Sequence, residues 1–318
     1  MIQRLFETWS RLIVQAQQRW RWVGYAFTLL AFVYLAALII VSRENIQEVQ
    51  WQRYWLPFVL SIIIYLASLL IQFTVWSRLV SFHHRTSWRD LAIYFRVLLM
   101  RRLPGGVWHW VDRTAMYTGT TSVPAKVVML ANFLEWTLLL LLAGAYASLG
   151  WPNWAPWLRL SLAIGLVSIA IYLGYVWQPA ERNKLLRIIE ALFWLVLYTL
   201  AWMAGGLILY LFVHTTQLGM DLASSGYQML SYLRSVWAWS IAGGSSQLMV
   251  FIPAGLGIRE ITLTWLLSPY LPVPSILLVA IVIRLTYALA DVVWGALGML
   301  FSLRLLKPPI STENPESK

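Results

Sequence analysis

The sequence has 318 residues, of which 60% are hydrophobic and 12% charged. A soluble domain is about 25% charged, so this chain lacks the polar surface to cover a globule of its size, and its apolar weight excludes intrinsic disorder. The charge is lopsided: 24 Lys and Arg against 13 Asp and Glu, a net +11. In a chain this apolar, the excess reads as the basic side of a membrane topology and not as a nucleic-acid footprint. Cysteine is absent, which removes disulfides, thiolate metal sites and thiol nucleophiles. The 20 Trp and 15 Tyr fit aromatic belts at two membrane interfaces.

A hydrocarbon core of about 30 Å needs roughly 20 apolar residues in a helix. The first such run is Val23–Val41. Before it lies a basic amphipathic segment, residues 1–22, with Arg4, Arg11, Arg19 and Arg21, which is expected on the cytoplasmic side. The run is too long for a signal-peptide core and has no small-residue cleavage site after it, so a retained span is expected. Further full-length runs are Trp55–Trp76, Val127–Leu149, Leu160–Trp177, Ile188–Val213 and Ile276–Leu306. The loops holding Arg78, Arg85 and Arg89, and Arg182, Lys184 and Arg187, are expected inside. The loop from Gly150 to Arg159, with one arginine and Trp151, Trp154 and Trp157, is expected outside. Residues 23–306 then form one transmembrane domain, and residues 307–318 a disordered cytoplasmic tail.

Two regions break this pattern. Leu91–Ala125 is amphiphilic around Pro104-Gly105-Gly106, and Tyr227–Tyr270 is apolar but interrupted by Gly243-Gly244-Ser245-Ser246 and by Pro253-Ala254-Gly255-Leu256-Gly257. Each offers apolar pieces too short to span, as re-entrant half-helices do. The regions also resemble each other. Each break is followed by a short amphipathic piece, a Val-Pro pair (Val123-Pro124, Val273-Pro274) and a long run with one charge in its first half. Pro104 and Glu135 are 31 residues apart, as are Pro253 and Arg284. An odd number of spans between them inverts the second unit. The expected fold is therefore an all-α polytopic membrane protein: about six full spans plus two re-entrant helix pairs in an inverted repeat, with units at about 91–149 and 227–306.

Backbone freed at a helix break must meet protein or a watery cavity. Helices restarting after Gly106 and Gly257 would aim their positive ends at that cavity, a setting for a phosphate. Arg101, Arg102 and Arg113 flank the first break and Arg259 the second; guanidinium forks bind phosphate bidentately, although Arg101 and Arg102 also suit plain topology signals. Glu135, Arg284 and Asp291 lie inside apolar runs, where an unpaired charge costs at least about 2.5–3.5 kcal/mol, so each should face inward, as part of a substrate or proton path or as a structural ion pair. Glu260 is placed to pair with Arg259 or Arg284. Glu190 is expected at an interface. The four histidines show no metal-ligand spacing, and Trp108, Trp110, Trp151, Trp154 and Trp157 read as interface anchors. No P-loop, dinucleotide loop or nucleophile elbow occurs, so no cofactor, no metal and no enzyme activity are expected.

The run Leu103-Pro104-Gly105-Gly106-Val107-Trp108-His109-Trp110-Val111-Asp112-Arg113 resembles the first signature of the lysylphosphatidylglycerol synthase transmembrane region, the flippase-like membrane proteins. Phe133-Leu134-Glu135 resembles that family's glutamate in the following helix. Pro253-Ala254-Gly255-Leu256-Gly257-Ile258-Arg259-Glu260 resembles its second signature, and Ile283-Arg284-Leu285 its late arginine. Ala254 stands where glycine is common, and Asp112 where a small residue is expected. The likeness covers about residues 15–308. Six spans with the basic loops on one side put both termini in the cytoplasm, and the expected location is the inner membrane. The resemblance implies the lipid-translocating half of the family, without the cytosolic synthase domain of its fused members.

The leading expectation is a lipid flippase that binds an anionic, phosphate-bearing lipid, either a phospholipid or a polyprenyl-phosphate-linked lipid. Its cavity would be built from Arg101, Arg102, Pro104, Gly105, Gly106, Arg113, Glu135, Pro253, Gly255, Gly257, Arg259, Glu260 and Arg284. The alternative is a non-transporting accessory subunit of a membrane glycosyltransferase or cell-envelope lipid synthesis machinery. An intramembrane enzyme acting on lipid phosphate ranks third, because no nucleophile–base pair appears. No nucleic-acid partner is expected, and the sequence leaves the oligomeric state open.

Overall fold

The computed structural model describes residues 51–102, 108–121, 123–220, 226–249 and 257–305, with Trp51, Arg101, Arg102, Trp108 and residues 302–305 described in backbone only. The run Val23–Val41 and the tail 307–318 lie outside the described residues, as do Pro104, Gly105, Gly106, Pro253 and Gly255. The described chain is all helix, with no strand among its residues. Nine α-helices follow in order: α1 (Trp55–Ser81), α2 (Trp88–Arg96), α3 (Trp108–Thr120), α4 (Ala125–Gly150), α5 (Pro156–Trp177), α6 (Lys184–Leu218), α7 (Tyr232–Leu248), α8 (Ile258–Leu267) and α9 (Val273–Leu305). A 3-10 segment, Val97–Arg102, continues α2.

Five of these helices, α1, α4, α5, α6 and α9, are long and apolar enough to cross a membrane. At 1.5 Å per residue, even the 22 residues of α5 cover about 33 Å, a full hydrocarbon core. The outer surface has membrane character. On α5 only Ala163, Ala170 and Gly174 are buried, while Leu160, Ile164, Ile169, Tyr172 and Val176 point outward. No aqueous solvent would accept that apolar face, and lipid would. The chain is a membrane-embedded helical protein.

The short helices do not span; they pack on the long ones. α3 and α8 have 13 and 10 residues, about 20 Å and 15 Å. α2 packs against α9, and α7 against α4 and α6, while α3 lies on α4 and α8 on α9. Small residues allow the closest approaches. A Cβ on Gly206 of α6 would sit 2.5 Å from the Val236 backbone of α7, and one on Gly298 of α9 would sit 2.5 Å from the Arg96 backbone nitrogen. Indole N–H groups cross between helices to carbonyls, Trp202 to Leu139 at 3.1 Å and Trp237 to Ala147 at 3.2 Å. Such cross-helix bonds hold a bundle that gains little from the hydrophobic effect in lipid.

One expectation about helix boundaries needs correction. Gly243-Gly244-Ser245-Ser246 does not break the helix; α7 runs through it to Leu248. The two seryl hydroxyls donate back to Ala242 and Gly243 carbonyls three residues earlier, and the glycines let Trp202 and Ala143 pack close. Tertiary packing overrides their low helix propensity.

Candidate functional site

A cavity of about 270 Å³ lies between the two broken regions. Its wall takes Arg113 and His109 from α3, Asn132 and Glu135 from α4, Arg259 from α8, and Tyr287 and Asp291 from α9. α1 contributes Tyr65, Ser68 and Gln72, and α7 contributes Trp239, Ser246 and Gln247.

Arg113 is only 5% exposed. Its Nη1 donates to Glu135 Oε2 at 2.7 Å and to Asn132 Oδ1 at 3.0 Å. The guanidinium carbon lies 4.1 Å from the Trp76 ring centre and 4.6 Å from that of Tyr94. Two π-faces and one carboxylate therefore offset the cost of burying this cation. The Tyr94 hydroxyl donates to the other oxygen of Glu135 at 3.4 Å. Asn132 is itself oriented by its amide donating to the Val128 carbonyl at 3.0 Å.

The second region repeats this motif with the charges exchanged. Glu260 sits on the short helix α8 and Arg284 on the long helix α9. Arg284 Nε donates to Glu260 Oε1 at 2.6 Å and Nη2 to Oε2 at 3.2 Å, a two-pronged contact. The backbone N–H of Gly257 donates to Glu260 Oε2 at 2.8 Å. Gly257 has φ +84°, a left-handed turn that glycine adopts without steric cost, and it directs the chain into α8. The anion at this helix start is thus the chain's own Glu260, which caps the positive end. Glu135 and Arg284 do not pair with each other; each has its partner on its own short helix. Asp291, two turns beyond Arg284, accepts from the Tyr65 hydroxyl at 2.5 Å. Arg259 turns the other way, into the cavity. Its Nη2 donates to the Ser246 hydroxyl at 3.2 Å, and its guanidinium carbon lies 4.9 Å from the Trp239 ring centre.

Of the residues expected in the site, Arg113, Glu135 and Arg259 line the cavity, whereas Glu260 and Arg284 form the pair behind it. Trp110, expected at an interface, stands in the cavity wall and meets Trp136 edge to face at 6.1 Å. Sequence reasoning missed Gln72, Asn132, Trp136, Trp202, Trp239 and Gln247, which are uncharged members of apolar helices. Glu190, expected at an interface, is buried; it pairs with Arg78 at 3.3 Å and Arg182 at 3.5 Å and accepts from the Trp194 indole at 3.0 Å. Among the described residues no cluster of His, Asp and Glu is arranged to hold a metal ion.

No family model, no curated protein and no solved structure matches this chain.

Proposed function

We propose that this chain is a flippase-like membrane protein of the type its signature runs resemble. In this reading it binds a lipid whose headgroup carries a phosphate and moves that headgroup across the membrane. The observation that carries the reading is a polar cavity inside an apolar bundle, walled from both broken regions and holding Arg113 and Arg259. Apolar bundles fill their interiors unless a polar occupant needs the space. Arg113 is bound to Glu135; Arg259, whose Nη2 donates to the Ser246 hydroxyl and whose guanidinium lies over the Trp239 ring, lines the same cavity and is the second cation offered to a phosphate.

The inverted repeat belongs to the same proposal. Exchanging the two units carries the packing of α2 on α9 into that of α7 on α4, and α3 on α4 into α8 on α9. The short helix to long helix ion pair recurs in each unit. With Val23–Val41 as a sixth span and two re-entrant pairs, both termini lie in the cytoplasm and the basic loops share one side of an inner membrane.

The test is transport. Purified protein is reconstituted in liposomes containing tail-labelled phosphatidylglycerol, and movement between leaflets is followed by chemical quenching of the outer label. Movement above protein-free liposomes supports the proposal. Losing a charge-assisted phosphate contact of about 1.5–3 kcal/mol should slow Arg259→Ala roughly tenfold or more. If no lipid moves and a glycosyltransferase copurifies with the chain, the accessory-subunit reading replaces this one.

A further inference from the structure

The cavity's chemistry is unlike that of a simple anion site. Among the described residues its charged lining is two guanidiniums, Arg113 and Arg259, against two carboxylates, Glu135 and Asp291. That sums to zero with His109 neutral, and the Arg113 charge is already matched at 2.7 Å by Glu135. With Glu135 matched to Arg113, a bare phosphate would meet one further cation among the described residues, Arg259, beside one further carboxylate, Asp291. The remaining wall is dominated by four indoles, Trp110, Trp136, Trp202 and Trp239.

Four buried polar atoms in this wall, Nε of Arg113 and of Arg259, Nδ1 of His109 and Oε1 of Gln247, make no hydrogen bond among the described residues; Nε of Arg113 is a donor and Oε1 of Gln247 an acceptor. Leaving such atoms unmatched costs about 1–3 kcal/mol each, so an occupant that satisfies both is favoured. Phosphate oxygens accept only, and they would leave Gln247 Oε1 unmatched. A hydroxyl both donates and accepts. Polyhydroxylated rings further combine an apolar C–H face, which packs on indole, with a rim of hydroxyls suited to amides and carboxylates. The volume also fits. A cavity of about 270 Å³ has room for one six-membered ring with its hydroxyls.

We propose that the headgroup taken by this cavity is a polyhydroxylated ring, a sugar or cyclitol, carried on the lipid phosphate. The ring lies against the Trp110/Trp136 side and hydrogen-bonds Gln247 Oε1 and Arg113 Nε, while its phosphate meets Arg259. This rests on the lipid-binding reading above and adds the class of headgroup.

Binding tests it separately from transport. Protein in nanodiscs is titrated calorimetrically with dioctanoyl phosphatidylinositol, dioctanoyl phosphatidylglucoside, dioctanoyl phosphatidic acid, dioctanoyl phosphatidylethanolamine and free methyl glucoside. At least one ring lipid should bind at least tenfold more tightly than phosphatidic acid and phosphatidylethanolamine. Gln247→Leu, which keeps the side-chain volume, and Trp136→Ala should each remove most of that preference, with α-helical circular dichroism unchanged. Arg259→Ala should weaken ring lipids and phosphatidic acid alike. If phosphatidic acid or phosphatidylethanolamine binds as tightly as both ring lipids, the ring proposal falls and phosphate-lipid binding stands. If no lipid binds, both fall. Methyl glucoside binding as tightly as the ring lipids would uphold the ring chemistry and overturn its lipid source.

Discussion

Glu135→Ala would strand the Arg113 guanidinium, 5% exposed, between Trp76 and Tyr94. Removing one partner of a buried pair costs about 3–5 kcal/mol, because the remaining charge stays desolvated. The π-faces at 4.1 and 4.6 Å are present with or without Glu135, so they do not replace it. Arg113→Met should cost a similar amount by leaving the carboxylate with Tyr94 alone. The double variant Arg113→Met/Glu135→Met is expected to behave differently. It removes both charges at nearly conserved volume, a change that is often neutral or stabilising by about 1–4 kcal/mol. Loss of cation–π attraction of about 2 kcal/mol offsets that gain, which places the double variant near wild type. The swap Arg113→Glu/Glu135→Arg keeps a Coulomb pair but sets a carboxylate against two electron-rich faces, so it should remain as unstable as either single variant. The assay is reversible unfolding in mixed micelles by detergent titration, read by far-ultraviolet circular dichroism. Single variants within about 1 kcal/mol of wild type, or a double variant costing the sum of the singles, would refute the reasoning, because contacting charges should be strongly coupled.

Gly206→Ala places a Cβ 2.5 Å from the Val236 backbone and should destabilise by about 1–3 kcal/mol through overpacking; in the same detergent titration Gly165→Ala, whose Cβ meets nothing within 4 Å, should lose nothing. Gln217, fully buried at the end of α6, donates to the Gln228 and Tyr270 carbonyls and accepts from the Leu230 N–H. Gln217→Leu should cost about 1–3 kcal/mol for each stranded backbone group, and hydrogen exchange should rise first at Leu230. Arg78 is half exposed where it meets Glu190, so Arg78→Ala should cost less than about 1 kcal/mol and less still in high salt. Glu190→Ala should cost more than Arg78→Ala, because it also strands the buried Trp194 indole N–H.

Hydropathy located the five spans that fall among the described residues, but it clipped their ends. The run Ile188–Val213 reads as the span, whereas α6 covers Lys184–Leu218. The added turns are polar, and they are helical because Asn183 caps the start by accepting from the Leu185 N–H and because Gln217 is bound at the far end. The start of α8 was legible because Gly257 takes φ +84°, a conformation that glycine reaches without steric cost and that turns the chain into a new helix. The partners of the buried charges were not. Glu260 lies within reach of Arg259 by sequence, yet adjacent residues on a helix point to different faces, and the choice of Arg284 is made by the packing of α8 on α9. The cavity's amides and indoles were hidden for a related reason. Gln72, Gln247 and Trp136 differ from packing residues only in where the fold aims them.

The exchanged polarity of the two ion pairs bears on how such a chain enters a membrane. An unpaired charge at the bilayer centre costs at least about 2.5–3.5 kcal/mol on insertion scales. Arg113 and Glu135 are 22 residues apart, and Glu260 and Arg284 are 24 apart, so each pair closes within one short-plus-long helix hairpin. Each pair can therefore form inside its own hairpin, without waiting for the rest of the bundle to pack. Pairing Glu135 with Arg284 would instead join charges from opposite ends of the sequence and leave both unmatched until the last helix packed. Which residue of a pair carries the positive charge is indifferent to this requirement, and the two units differ in that respect. The surroundings decide it: the aromatic sandwich of Trp76 and Tyr94 calls for a cation at 113, and the open N-terminus of α8 calls for an anion at 260.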